Sequence, residues 1–277
     1  MEQDNPKVSI IIPTYNRADL LPRAIKSVFD QTFSDYEVII INDASTDGTK
    51  KYLDELAKND LRVKVIHHEK NYYPDVSRTL NEGLNFARGK YIARLDDDDY
   101  WSDKEKLAKQ VAFLDARQDY VIVGGGTIVI DEKDQEKFRY LKLETNEAIR
   151  SKALVANPFT HSTVMFLRDV AVSVGGYGNF KNAEDWDLWL KMGTRGNFYN
   201  FQEYFVKYLM TDKNKSFLFK RSQSKEILKI ISAHRKEYPN FYIAYAINFA
   251  QYIYSFLPFG IRKMSHSFLS KIKRKAS

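Results

Sequence analysis

Residues 8–41 read V-S-I-I-I-P-T-Y-N-R-A-D-L-L-P-R-A-I-K-S-V-F-D-Q-T-F-S-D-Y-E-V-I-I-I, and the order of apolar and polar positions in them decides the fold. Residues 8–12 form a β-rich apolar run that Pro13 closes, and residues 36–41 form a second. Between them Leu20, Leu21, Ala24, Ile25 and Val28 recur at helical spacing over residues 18–31. Strand, helix and strand make a βαβ unit. Strands this continuously apolar belong to a parallel sheet covered on both faces. The alternation continues outward with a helix over residues 49–59, a strand over 63–66, a helix over 76–87 and a strand over 91–95. The expected architecture is therefore an α/β open sheet, whose ligands sit beyond the carboxyl ends of the strands.

Three strand ends are the places to look for chemistry. The first is Pro13-Thr14-Tyr15-Asn16-Arg17 and the second Asn42-Asp43-Ala44-Ser45-Thr46-Asp47-Gly48. A carboxylate at Asp43 can accept from an imide N–H and the Tyr15 ring can stack, which is what holding a nucleobase requires. The ordinary alternatives are a helix N-cap at Asn16 or Asp19 and a turn over residues 45–48. The third is residues 90–101, K-Y-I-A-R-L-D-D-D-D-Y-W, where a short strand delivers Asp96, Asp97, Asp98 and Asp99. Adjacent carboxylates repel one another, so unless water solvates them in an acidic turn they need a cation, and oxygen ligands suit Mg²⁺ or Mn²⁺ better than zinc. Read as extended chain, the run points Asp96 and Asp98 one way and Asp97 and Asp99 the other. Mg²⁺ commonly bridges one or two carboxylates and substrate phosphates, so a phosphate-bearing substrate is expected.

Asp43, Ser45, Asp47, Gly48 and Asp54 also nearly match a calcium loop of the EF-hand type. Such a loop needs a helix before it and Glu at its last ligand position, whereas residues 37–41 are strand-like and the last position is Asp54.

The chain has 277 residues, 44% of them apolar, and no cysteine, which excludes disulfides and thiolate metal sites and fits a reducing compartment. Residues 1–7, M-E-Q-D-N-P-K, lack the basic segment and apolar core of a secretory signal, so a cytoplasmic location is expected. The net charge of +7 is concentrated at one end. Arg262, Lys263, Lys271, Lys273, Arg274 and Lys275 follow residue 240 with no acidic residue among them, leaving +1 for the remainder. That argues against nucleic acid as a partner, because such domains spread Lys and Arg over a folded face.

Residues 13–17, 42–49 and 95–101, followed by Gly175-Gly176-Tyr177 and Glu184-Asp185-Trp186-Asp187-Leu188-Trp189-Leu190, together resemble the family 2 glycosyltransferases. The resemblance spans about residues 7–210, and its motifs stand in the family's order. It implies a Rossmann-like GT-A fold, an open mixed sheet flanked by helices. It further implies inverting transfer of a sugar from a nucleotide sugar, with UDP-sugar the leading donor, to a hydroxyl of a glycan or lipid-linked acceptor, with Mn²⁺ or Mg²⁺ as cofactor. By this resemblance the nucleoside-binding positions fall on Pro13, Tyr15, Asn16 and Asp43, with Asp43 at the base, and Arg78 reaches the phosphates. Asp96 falls near the ribose, Asp98 on the metal, and Asp185 on the general base. Two departures stand out. Asp97 occupies a place the family gives to a small residue, which leaves Asp97 and Asp99 as competing ligands, and Tyr72, Tyr73 and Pro74 stand where the family often has a glycine.

Elementary chemistry stands beside the resemblance. Displacing a nucleoside diphosphate builds negative charge on the leaving phosphate, which a divalent cation stabilises, while the attacking hydroxyl must lose its proton to a carboxylate on the opposite side. Asp185 opens a helix predicted over residues 184–192, where the helix dipole favours the ionised form; capping by Glu184 or Asp185 is the alternative on that segment alone. Glu184, His161 and Trp101 are candidate contacts for acceptor or phosphate, weighed against a structural histidine and a core tryptophan. Trp186 and Trp189 read as core. Gly124-Gly125-Gly126 lack the spacing of a phosphate loop, so residues 121–130 are expected as two strand segments around a bend.

The catalytic domain is expected over residues 1–215, with a nucleotide-sugar half of about residues 1–100 and an acceptor half of about 101–215. Residues 216–277 are expected as a helical, aromatic and basic C-terminal region. Residues 241–261 carry no charge and are rich in Tyr, Phe and Ile, but Asn248, Gln251, Ser255 and Pro258-Phe259-Gly260 interrupt them. A helix lying in the plane of a membrane is expected there, and not a spanning one. Phe268, Leu269 and Ile272, set among the basic residues, fit an anionic surface at the inner face of the cell membrane. A hairpin packed on the catalytic domain is the alternative. Two other functions share parts of the pattern. A nucleotidyltransferase normally brings a glycine-rich phosphate loop, which this sequence lacks, and in a non-catalytic nucleotide-binding scaffold protein Asp185 would be dispensable.

Overall fold

The computed structural model describes residues 5–181, 183–211 and 221–257. Its strands are β1 (Val8–Thr14), β2 (Tyr36–Asn42), β3 (Val63–His67), β4 (Tyr91–Arg94), β5 (Tyr100–Trp101), β6 (Tyr120–Ile130), β7 (Glu136–Tyr140), β8 (Met165–Leu167) and β9 (Asn197–Leu209). Its helices are α1 (Leu21–Phe29), α2 (Thr49–Asn59), α3 (Val76–Phe86), α4 (Lys106–Ala116), α5 (Asn146–Lys152), α6 (Arg168–Ser173), α7 (Glu184–Met192), α8 (Arg221–Ala233) and α9 (Phe241–Tyr254). The strands form one mixed sheet in the order β3-β2-β1-β4-β8-β6-β9-β5, with β7 attached to β6. The first four run parallel, β8 is antiparallel to both its neighbours, and β9 is parallel to β6.

Both faces of the parallel part of the sheet are covered, which is why β1, β2 and β4 are buried almost throughout. Every residue of β2 is buried. Val8, Ile10, Ile12, Val38 and Ile40 pack with α1, α2 and α4, while Ile11, Ile39 and Ile41 belong to a second core with α3, α7 and α8. Gly83 lets α3 approach that second face closely: a Cβ there would lie 2.7 Å from Ile11 Cγ2 and 2.9 Å from Ile41 Cδ1.

Two strand expectations need correction. Pro13 does not close β1, which runs on to Thr14 in register with Asn42. Thr14 turns its carbonyl toward the β2 side, where Asp43 N–H donates to it, so Pro13 faces the β4 side, and there pairing has already ended at Ile11 and Arg94. The missing proline N–H therefore costs no ladder bond. Residues 120–130 form one strand, with shifts of register against β9 around Gly124 and Gly126 in place of a bend. Those glycines make room: a Cβ at Gly125 would lie 2.3 Å from the Phe205 ring and one at Gly124 2.6 Å from the Phe159 ring.

α8 and α9 form a hairpin docked on the domain through Ala244 and Asn248, whose amide donates to the carbonyls of Val155 and Leu154. The opposite face of α9 leaves Tyr242, Ile243, Phe249 and Ile253 exposed. The helix thus combines the packed arrangement with an open apolar face. Among the described residues no helix is long and apolar enough to cross a membrane. The domain boundary at residue 215 and the basic segment at residues 262–275 lie outside the described residues.

Candidate active site

The ends of β1, β2 and β4 meet at one edge of the sheet, and their loops are tied to each other. Asn16, at φ 52°, donates its N–H to Ser45 Oγ at 2.9 Å and accepts the Thr46 N–H on Oδ1 at 2.8 Å. Arg17 and Ala18 donate backbone N–H groups to Thr49 Oγ1 and Asp47 Oδ2. Asn16 is thus a strut between loops and not a helix cap. The would-be calcium ligands are spent in the same way: Ser45 and Asp47 tie loops, while Asp54 holds Lys50 at 2.7 Å and His67 at 3.0 Å on α2.

Asp43 lies at the end of β2, only 9% exposed. Its carboxylate accepts the Tyr72 N–H at 3.0 Å and contacts His68 Nδ1 at 2.7 Å. Tyr15 is 43% exposed and open to stack. Across the loop, Arg78 lies over the Tyr72 ring at 3.8 Å, so one of the three residues that stand where the family often has a glycine carries the guanidinium.

The aspartate run is a tight turn, not an extended segment, since Asp99 N–H donates to the Asp96 carbonyl at 3.2 Å. The expected two-by-two alternation therefore fails and each carboxylate has its own surroundings. Asp96 meets Arg94 Nη2 at 2.6 Å and Ser162 Oγ at 3.2 Å. Burial pushes it up, but the Arg94 charge and the Ser162 bond hold it below the usual carboxylate range. Asp97 accepts the Tyr15 N–H at 3.3 Å, and burial together with the Asp98 charge pushes it up to about 7. Asp98 presents its carbonyl to Arg23 Nη2 at 3.3 Å. Asp99, 1% exposed, accepts from Ser162 Oγ at 2.6 Å and Leu209 N–H at 3.1 Å, and burial raises it well above the usual value.

Asp99 is thereby an internal anchor for β9, which removes it as a competing ligand. No group of three or more histidine or carboxylate side chains forms a cation cage among the described residues. A cation shared between one or two aspartates and substrate phosphates needs no such cage, and Asp97, pushed up by burial and by Asp98 although Arg17 lies 3.6 Å away, is a carboxyl whose ionised form a cation would favour. The residues fit a hard divalent ion completed by substrate.

α7 opens with two further carboxylates, close enough for Asp185 to feel the charge of Asp96. Asp185 Oδ1 accepts the Trp186 N–H at 2.7 Å and Oδ2 accepts from Asn157 Nδ2 at 2.8 Å. The expectation that the helix dipole keeps Asp185 readily ionised is corrected: burial dominates, and its carboxyl lies above the usual range despite those bonds. Glu184 is pushed up to about 7 by burial and by Asp185. His161 contacts Tyr177 OH at 3.0 Å, and burial drives its pKa down to about 3, so it is a neutral imidazole here.

Trp101 is no open contact surface. It is 4% exposed, donates its indole N–H to the Ser162 carbonyl at 2.9 Å and supports Lys106 Nζ over its ring at 4.1 Å. Trp186 and Trp189 are core, as expected. Sequence reasoning passed over Arg94, Ser162, Asn157 and Lys142. Arg94 alone carried a signal, a charge inside an apolar run directly before the aspartates.

The model of the glycosyl transferase family 2 matches residues 9–175. EpsE of Bacillus subtilis, named as a glycosyltransferase, is 37% identical over 73% of this chain and 72% of its own length. The GalNAc(5)-diNAcBac-PP-undecaprenol β-1,3-glucosyltransferase of Campylobacter jejuni is 30% identical over 70% of this chain and 62% of its own. Among solved structures, Staphylococcus aureus TarS with UDP-GlcNAc superposes with a TM-score of 0.68 at 18% identity, over 95% of this chain and 75% of that one. The Pyrobaculum calidifontis mannosyltransferase with GDP-Man and Mn²⁺ gives 0.64 at 18% identity, over 99% and 76%. The chain, a glycosyltransferase of the GT-A fold, belongs to glycosyl transferase family 2.

Proposed function

We propose that this glycosyltransferase is metal-dependent and inverting, moving a sugar from a UDP-sugar to a hydroxyl of a glycan or lipid-linked acceptor. The observation that carries the reading is the set of carboxylates fixed by their neighbours where the strand-end loops meet: Asp43 held by Tyr72 and His68, Asp96 by Arg94 and Ser162, and Asp185, held by Asn157, within reach of the Asp96 charge. In this reading Pro13, Tyr15 and Asn16 frame the nucleoside and Asp43 accepts its imide N–H. Arg78, presented on Tyr72, turns toward the diphosphate. Asp96, oriented by Arg94 and Ser162, faces the ribose. Asp98 is the ligand for Mn²⁺ or Mg²⁺, an ion that when bound neutralises charge on the leaving diphosphate.

Asp185 takes the proton of the acceptor hydroxyl as its oxygen bonds to the anomeric carbon, while the bond from that carbon to the diphosphate oxygen breaks. Attack from the face opposite the leaving group inverts the centre. A carboxylate raised by burial is a better base near neutral pH than an exposed one, and such a base contributes roughly 10²–10⁴ in rate. Glu184 and the neutral His161 are proposed to contact the acceptor. Residues 1–215 supply the donor and acceptor halves. The exposed face of α9 and the basic residues at 262–275 hold the enzyme peripherally at the inner face of the cell membrane, near a lipid-linked acceptor such as the Campylobacter relative's name specifies.

The test is nucleotide release from UDP-, GDP-, dTDP- and CMP-sugars with Mn²⁺, with and without EDTA, in the presence of membrane lipid extract. UDP release from one donor, abolished by EDTA and reduced at least 10²-fold in Asp98→Ala and Asp185→Asn, is expected. Wild-type turnover in Asp185→Asn would end the base assignment.

A further inference from the structure

Both carboxylate oxygens of Asp185 have a donor, the Trp186 N–H on Oδ1 and a single side chain on Oδ2. Asn157 donates Nδ2 to Asp185 Oδ2 at 2.8 Å, while its own Oδ1 accepts the Phe159 N–H at 3.2 Å. The second bond fixes which end of the amide is which, so the nitrogen must face the carboxylate. The segment bearing Asn157 is itself tied from several elements. Trp186 Nε1 donates to the Ala153 carbonyl at 2.7 Å, Asn248 to Val155 at 3.2 Å, Lys142 Nζ to Asn157 at 2.9 Å and Asn200 to Pro158 at 3.2 Å.

We propose that Asn157 is the positioning residue for Asp185, locking its carboxylate in one rotamer with a free lone pair on Oδ2 for the acceptor proton. The proposal rests on Asp185 being the base. Each carboxylate oxygen can accept twice, so the single bond from Asn157 leaves that capacity open. An amide suits this place because it donates a directed bond without adding charge or becoming a competing base.

The bond also selects the ionised form. Burial pushes Asp185 up, and the Asn157 bond is the largest influence drawing it back. The other groups facing it are the Trp186 N–H and Lys142, which lower it, and Asp96, which raises it; Glu184 and the Tyr177 phenol lie in the same field.

The test labels aspartate with ¹³C at the carboxyl carbon and follows its resonances with pH. The Asp185 signal is the one missing from Asp185→Asn. In Asn157→Ala its midpoint should move upward, with UDP affinity in Mn²⁺ unchanged and donor turnover reduced roughly 10–100-fold in kcat at constant KM. An unmoved midpoint in a variant that still binds UDP overturns the proposal, whatever happens to turnover. Should Asn157→Ala fail to bind UDP, the same titration in Asn157→Gln, which keeps the amide but displaces it by one methylene, decides in the same way. Full turnover in Asp185→Asn would instead remove the base assignment and leave the hydrogen-bond result standing by itself.

Discussion

At the scale of single residues, two side chains beside the candidate site carry separate predictions. Arg94 is 1% exposed and serves the carbonyls of Ile11 and Leu95 together with Asp96. Arg94→Leu leaves two carbonyls and a carboxylate without that partner, so a loss of about 3–5 kcal/mol is expected in urea denaturation. Arg94→Lys keeps the charge but not the planar fork, and should recover only part of it. Glu184 makes the opposite prediction. Its folded value of about 7 exceeds the ordinary 4.5, so the folded state keeps a proton that the unfolded chain releases. Stability should therefore fall as pH rises from about 4.5 to about 7 and level off above that. Glu184→Gln should remove about 1–2 kcal/mol of this decline, read as a flatter plot of Tm against pH.

At the scale of elements, α3 crosses β1 and β2 at close range. Gly83→Ala puts a methyl against Ile11 and Ile41, and should cost about 1–3 kcal/mol by chemical denaturation with little change in UDP affinity. That crossing also illustrates what could be read beforehand. The parallel strands and their helices were legible because burial on both faces leaves unbroken apolar runs, as in residues 36–41. β9 was not, because residues 197–209 mix aromatic and polar side chains that only the register against β6 sorts into faces. The aspartate run was legible as a cluster of carboxylates but not as shape. Its turn is imposed from outside by Ser162 and Leu209, which are 63 and 110 positions from Asp99. Lys142 and Asn157 were invisible for the same reason, since nothing local distinguishes them from loop residues.

At the scale of the whole molecule, the hairpin of α8 and α9 faces two ways. Outward it shows Tyr242, Ile243, Phe249 and Ile253. Replacing Phe249 and Ile253 with Ser should weaken binding to phosphatidylglycerol vesicles roughly 10–100-fold in a flotation assay, while UDP affinity stays constant. Inward, the same C-terminal segment seats the helix that carries Asp185: His234 Nε2 lies 3.0 Å from Asp187 and Tyr238 OH donates to the Leu190 carbonyl at 2.8 Å. Those partners lie 47 and 48 positions further along the chain. During synthesis the loops that follow β1 and β2 can close on one another while the clasp for α7 is still inside the ribosome. A growing chain thus ties its first strand-end loops together early, and the helix that carries Asp185 is the last part of the candidate site to be seated, by the same segment that presents the apolar face.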